Sequence, residues 1–334
     1  MRRKLLALIA AATLVLIAGC STPAAPSADP PTSDSASPAG TTGGYVAIIT
    51  TVLENPYWDA ESETAQKELE ALGYTTDINA HNNDPQRQSE LIDAALSKKA
   101  VAIVLDPAGA KESIGVVQKA TDAGVPVFLI NAEIEQEGIA KAQIIANNAQ
   151  GAELGGQHFA EMMNFEGNYV ELFGNPTDNN APVRSDSYHK VFDQYPNMKM
   201  LQQETANWVL SEGTDKMEIM LTAHKGKIKG VISGNDEMAL GAIAAIEKAG
   251  LVPGKDIIVM GFDGSPNAVA AIKDGKLLGT VLQPIVAETK ELVKQLDSYL
   301  KTGSTGAASE KQAMDCVLII PDNIDQYGMF SMGE

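Results

Sequence analysis

Four apolar runs in this chain end on a carboxylate or an amide. AVAIVLD closes on Asp106, VPVFLIN on Asn131, GVISGND on Asn235 with Asp236, and IIVMGFD on Asp263. In an open parallel sheet, ligands bind in the crevice outside the carboxyl ends of the strands, so polar groups gathered there point to a small hydrogen-bonding ligand. Helix N-capping competes for the same residues, because Asp and Asn also satisfy the free amides of a helix start. For any one of them the two readings weigh equally; four together favour a site. The scarce large rings give a second signal. Trp58 follows Tyr57 in NPYWDAE, directly after an apolar run, and the only other tryptophan, Trp208, lies in TANWVLSEG. Both stretches are polar and lead into helical patterns. A ring face there can cover the C–H surface of a carbohydrate while polar side chains take its hydroxyls, although local packing against a helix end is the competing reading.

The elements that must hold these groups alternate. From Tyr45 onward, short apolar runs follow amphipathic stretches in the pattern of βα units on parallel sheets. YVAIIT predicts a strand, and PYWDAESETAQKELEALGY a helix with Pro56 in its first turn and Gly73 near its end. TTDINA, AVAIVLD and VPVFLIN continue as strands around helices over DPQRQSELIDAALSKK and AKESIGVVQKATDAG. A second series runs from QIIANNA to DIIVMGFDG, so two similar lobes are expected. Within it, Gly155 and Gly156 sit inside a helical pattern and read as a close-packing site.

Several chemistries lack their signatures. No G-x-G-x-x-G or G-x-x-x-x-G-K-[ST] follows a strand, so the usual cradles for nucleotide phosphates are missing. There is no G-x-S-x-G elbow for a serine nucleophile. His81, His158, His189 and His224 are scattered without metal-ligand spacing, and each reads as a surface residue. No cofactor and no metal are expected, and nothing proposes an enzyme.

The first residues, MRRKLLALIAAATLVLIAGC, place Arg2, Arg3 and Lys4 before an apolar segment that closes on Ala18 and Gly19. That is an export signal, too short for a comfortable membrane span, which needs about 20 apolar residues. The ending LIAGC resembles a bacterial lipobox, which implies cleavage before Cys20 and lipid attachment to its sulfur. Residues 21–44 lack aromatics and large aliphatics and read as a flexible tether. Losing residues 1–19 removes three basic groups from a chain whose formal charge is already −18. Nucleic acid is therefore excluded as a partner, for want of a basic footprint. Only Cys316 would then remain as a thiol, so no intramolecular disulfide is expected. About 290 residues follow the tether, enough for two domains.

The motifs NPYW, INA after VPVFL, APVRSDSYHKVF, GNDEMALGA, VMGFDGSPNAV and DGKLLGTVLQP resemble the ribose-type sugar-binding proteins of bacterial ABC importers, over residues 45 to about 320. The resemblance implies the type I periplasmic-binding-protein fold, α/β with two Rossmann-like lobes of parallel sheet joined by a three-crossover hinge near residues 146, 283 and 315. Residues 45–146 with 284–315 would form the N-terminal lobe, and 147–283 with 316–334 the C-terminal one. LacI-like regulators share this fold but begin with a DNA-binding helix-turn-helix, where this chain has its export signal.

Carried over residue by residue, the resemblance implies that Asn55 bonds a ligand hydroxyl and that Tyr57 and Trp58 wall the first lobe's side. Asp106 falls where the family often has a polar cleft residue. Arg184 in RSDSY would donate a fork from the second lobe; by itself it reads as a helix surface ion pair. Trp208 matches a stacking ring, and Asn235, Asp263 and Gln283 match polar contacts. One departure stands out: Asn131-Ala132 replaces the Asp-Arg of pentose binders, with Glu133, Asp106 or water as possible compensation. The ligand is therefore expected to be an acyclic polyol such as threitol or xylitol, with a pentose next. The protein would act as a monomer, lipid-anchored at the outer face of the cell membrane, that closes on its ligand and docks on a permease served by a separate ATPase. A membrane sensor subunit and a carbohydrate-active enzyme are the alternative classes.

Overall fold

The structure, a computed structural model, describes residues 43–328 and 330–331. The expectations for residues 1–42, including the signal segment and Cys20, lie outside the described residues. The first series runs β1 (Tyr45–Thr50), α1 (Pro56–Ala71), β2 (Thr75–Ala80), α2 (Pro85–Ser97), β3 (Ala102–Leu105), α3 (Ile114–Asp122), β4 (Val127–Ile130) and β5 (Ala142–Ala146). The second comprises α4 (Asn148–Met162), β6 (Gly167–Phe173), α5 (Asn180–Phe192), β7 (Met198–Thr205), α6 (Leu210–Ala223), β8 (Gly230–Ser233), α7 (Asp236–Lys248), β9 (Ile258–Asp263), α8 (Pro266–Lys273) and β10 (Gly279–Leu282). The chain then returns with α9 (Ile285–Thr302) and β11 (Lys311–Met314) before β12 (Val317–Ile319).

Strand pairing divides these elements into two sheets, ordered β11-β5-β4-β3-β1-β2 and β12-β10-β9-β8-β6-β7. Every pairing in the first is parallel. In the second only β12 runs antiparallel, against β10. The chain therefore passes between the sheets three times: after β5, after β10 and after β11. The central strands β3, β4, β8 and β10 are buried along their whole length, as strands covered by helices on both faces must be. Their Val, Leu and Ile content supplies that burial. An apolar cluster runs from Val46 and Phe128 of the first lobe through Tyr57 and Trp58 to Leu172 and Trp208 of the second, so the two cores meet at the cleft.

Local chemistry sets the helix ends. α1 starts on the Asn55 cap with Pro56 in its first turn, and Gly73 at φ +89° follows its end, where only glycine adopts the left-handed turn without strain. α3 starts at Ile114, four residues later than the periodicity predicts. Ala110 is held instead by neighbouring loops: its N–H donates to the Thr177 carbonyl at 3.0 Å and its carbonyl accepts from the Glu135 N–H at 3.1 Å. Gly155 packs under Val281, where an added Cβ would stand 2.9 Å from Cγ2, and this lets α4 lie close on its sheet.

Candidate functional site

The first lobe builds one wall from the start of α1. The Asn55 side chain accepts the Tyr57 N–H at 2.9 Å, and the helix begun this way turns its first-turn rings toward the second lobe. Tyr57 and Trp58 are buried and meet edge to face, with centroids 6.5 Å apart. The Tyr57 hydroxyl donates to Asn131 Oδ1 at 3.2 Å, and Asn131 Nδ2 donates to Asp106 Oδ2 at 2.9 Å. Asn131 holds a left-handed backbone, φ +63°, which asparagine tolerates better than most residues. Asp106 thus stands one layer behind the wall rather than in it. Burial pushes its carboxyl up to about 8, against the hydrogen bond from Asn131. Behind Asp106 is His81, whose Nε2 lies 2.8 Å from the Asp106 carbonyl oxygen. His81 has no exposed surface, contrary to its reading as a surface residue. His158, His189 and His224 are only partly exposed, with His189 Nε2 2.8 Å from Glu171 Oε2 and His224 Nε2 2.8 Å from Gln202 Oε1.

The second lobe supplies the opposite wall from Trp208. Asn207 and Trp208 both adopt positive φ, +48° and +68°, a strained pair that surrounding contacts must hold. The ring lies over two glycines: a Cβ on Gly174 would stand 2.1 Å from Trp208 Cη2, and one on Gly234 2.9 Å from Cζ3. The indole N–H donates to Asp178 Oδ2 at 3.2 Å, and Asn235 Nδ2 donates to the Trp208 carbonyl at 3.2 Å.

Arg184 is buried, not on a helix surface. Its Nη1 donates to the Gly234 carbonyl and its Nε to Asn148 Oδ1, both at 2.7 Å, and Nη1 lies 3.6 Å from Asp263 Oδ1. The guanidinium stacks 3.9 Å from the Phe262 ring centroid and 5.2 Å from that of Trp208, a use of a planar cation that lysine cannot reproduce. Gln283 Nε2 donates to Asp263 Oδ1 at 2.7 Å, while the buried Gln283 Oε1 has no hydrogen-bond partner. Burial pushes the Asp263 carboxyl up to about 7, with Arg184 and Gln283 acting to hold it down.

These groups surround a small cavity of about 20 Å³ between the two lobes. Asn55, Tyr57, Trp58 and Asn131 line it from the first lobe, and Asp178, Asn180, Arg184, Trp208, Asn235, Asp263 and Gln283 from the rest of the chain. Glu133 does not. It bridges the lobes at the rim, accepting from Asn179 Nδ2 and pairing with Lys311, both at 3.1 Å. Asp178 and Asn180 were not anticipated. They sit in GNPTDNN after β6, where Asn175 Oδ1 accepts the Thr177 N–H and turns the loop back toward the cleft; a polar cluster after a strand end was the available signal. Asn235 both lines the cavity and caps α7, accepting the Met238 N–H at 3.0 Å. Ser113 and Ser265 occupy the cap positions of α3 and α8, so Asp106, Asn131 and Asp263 are not helix caps.

The lobes are closed over this space. Asn180 Nδ2 donates to the Asn131 carbonyl at 3.1 Å, and the Ala110–Thr177 bond crosses at the rim. The lining carries one guanidinium beside carboxyls that burial pushes toward their neutral form. Such a lining suits a neutral guest with many hydroxyls, because each buried donor or acceptor left unmet costs about 1–3 kcal/mol. Among the described residues no cluster of His, Cys, Asp or Glu could hold a metal ion, and no helix is long and apolar enough to cross a membrane. Cys316 is a free, buried thiol that burial pushes up to about 12.

The chain is similar to the D-apiose import binding protein of Actinobacillus succinogenes, with 48% identity over 292 residues, covering 87% of this chain and 93% of that protein. It is similarly related to the D-apiose import binding protein of Paraburkholderia graminis, 47% identical over 287 residues, with 86% and 90% covered. Among solved structures, a galactofuranose binding protein superposes with a TM-score of 0.80 at 26% identity, over 84% of this chain and 96% of that one. Residues 46–305 match the periplasmic binding protein domain. With that match spanning both lobes and the cleft between them, the chain belongs to the periplasmic-binding-protein family, as a sugar-binding component of an ABC importer and not an enzyme.

Proposed function

We propose that the cavity captures a single neutral sugar of pentose size, D-apiose foremost, and that lobe closure around it produces the form a permease accepts. The observation that carries this reading is the cavity itself: rings from both lobes face a small space whose polar lining is almost entirely amide, carboxyl and one guanidinium. The 48% identity to a D-apiose import binding protein narrows the choice. In this reading Tyr57, Trp58 and Trp208 cover the C–H faces, and Asn55, Asn131, Asp178, Asn180, Asn235 and Gln283 meet hydroxyls. Arg184 and Asp263 act as one donor–acceptor unit. Asp106 and Glu133 support the wall and the rim without touching the guest.

An acyclic alditol such as threitol or xylitol is the second reading. It is favoured by Asn131-Ala132, which offers an amide and a methyl where pentose binders carry Asp-Arg. D-apiose satisfies much of the same logic, since it is a tetrose skeleton with one added hydroxymethyl branch. The protein would work as a monomer held to the membrane through Cys20, with permease and ATPase as separate partners. The sensor alternative uses the same site and differs only in what the closed form docks on.

Calorimetric titration with D-apiose, D-ribose, L-threitol and xylitol tests the reading. D-apiose should bind most tightly, and the others at least tenfold more weakly. Tighter binding of either alditol would move the assignment to polyols, and no heat with any of the four would remove it.

A further inference from the structure

The last described residues pack where the three lobe crossings do not account for them. After β12 the chain makes one 3-10 turn, Ile324–Gln326, beside α8, where Lys273 pairs with Asp325 at 3.3 Å. Gly328 and Ser331 then bridge through their backbones, closing a tight loop. Phe330 stands in that loop with a left-handed backbone, φ +51°, and its side chain is only 2% exposed. Its ring meets Tyr57 edge to face, centroids 5.5 Å apart at 86°. Tyr57 is a wall of the cavity and donates to Asn131, another wall. A segment that belongs to the second lobe through β12 thus backs a ligand-facing ring of the first.

We infer that Phe330 is a positioning residue for the sugar site, with the C-terminal loop acting as a latch that fixes the Tyr57 ring and so the width of the cavity. This inference rests on the proposed sugar-binding function and deepens it. Tyr57 is gripped on three sides: its N–H by Asn55, its hydroxyl by Asn131, and its ring by Phe330 and Trp58. Asn55, Asn131 and Trp58 come from the same lobe as Tyr57. Phe330 alone arrives from the other side of the hinge, so its contact forms only when the tail is seated across the lobes. Without that ring, Tyr57 can draw back, the cavity widens, and a larger sugar is rejected less strongly.

The test uses the full chain and three variants, Phe330→Ala, Phe330→Leu and Trp208→Ala, titrated with D-apiose and with D-galactose as the larger sugar. Phe330→Ala should weaken D-apiose binding about tenfold and lower the preference for D-apiose over D-galactose. Phe330→Leu, which keeps apolar volume, should recover most of both. Unchanged affinity and preference in Phe330→Ala, with binding lost in Trp208→Ala, would overturn the latch while leaving the site reading intact. If the unaltered protein binds neither sugar, the site reading fails, and hydrogen exchange of the ligand-free protein decides the latch. Exchange of the Tyr57 amide at least tenfold faster in Phe330→Ala supports it, and unchanged exchange overturns it.

Discussion

Substituting Gly174 by alanine isolates the Trp208 wall from everything else in the site. Gly174 follows β6 and is not one of the left-handed glycines, so alanine suits its backbone. The added methyl would stand 2.1, 2.2 and 2.4 Å from three atoms of the Trp208 benzo ring. The ring must retreat by about 1.3 Å to reach the 3.4 Å of ordinary contact. It has little freedom to do so, being held by Asp178, by Asn235 and by the stacked Arg184. Overpacking of this kind costs about 1–3 kcal/mol of stability, which for a chain of this size lowers Tm by roughly 2–12 °C. A misplacement of about 1 Å in a shaped site can cost about 100-fold, so D-apiose affinity should fall by about that factor, or ~2.8 kcal/mol. Calorimetry reads the affinity and a melting curve the fold. Trp208→Phe removes the ring atoms the methyl would strike, so Gly174→Ala on that background should cost almost nothing further. Unchanged affinity in Gly174→Ala, or an equal loss on the Trp208→Phe background, would refute the reasoning.

Further outcomes follow from the same geometry. Arg184→Met leaves the buried Asp263 without its cation and should destabilise the protein by about 3–5 kcal/mol in a denaturant titration. Arg184→Lys keeps the charge but loses the fork and the stacking, and should still lose most of the affinity. Tyr57→Phe removes the donor to Asn131 Oδ1 and should cost about 1–3 kcal/mol, read the same way. Stability should also fall from pH 5 to pH 8.5. Burial raises Asp106 and Glu288 to about 8 and Asp263 to about 7, so between about pH 4 and pH 8 the folded chain binds more protons than the unfolded one and loses stability as pH rises. His81, pushed down by burial, opposes this only in part. A Tm that climbs over that range would contradict the sign, and Glu288→Gln should flatten the slope.

The strand-end polar residues were legible because a parallel sheet gathers its carboxyl ends along one edge whatever the loops do. Asn131, Asn235 and Asp263 reach the cavity by that rule alone. Asp106 obeys it too, but Asn131 interposes its amide, and no local pattern tells a first layer from a second. Asp178 and Asn180 escaped notice because they lie beyond the strand end, in the six-residue loop after β6 and at the first position of α5, and an Asx turn brings them back. His81 was misjudged because its partner, the carbonyl of Asp106, lies 25 residues away. Arg184 reads locally as a surface cation; its stacking partners Phe262 and Trp208 come from β9 and the turn before α6. Phe330 gave no sign at all, since an edge-to-face contact between residues 57 and 330 leaves nothing in either stretch to see.

The return of the chain into the first sheet also bears on when the molecule can assemble. β11 forms the outer edge beside β5, and α9 packs on α1, yet neither exists until residue 285 and beyond has been made. A chain delivered amino end first therefore holds an unfinished half for most of its synthesis, with β5 paired to β4 but lacking its outer neighbour β11. Contacts that span such long separations close slowly. Completion of the first lobe is therefore deferred to the end of translation.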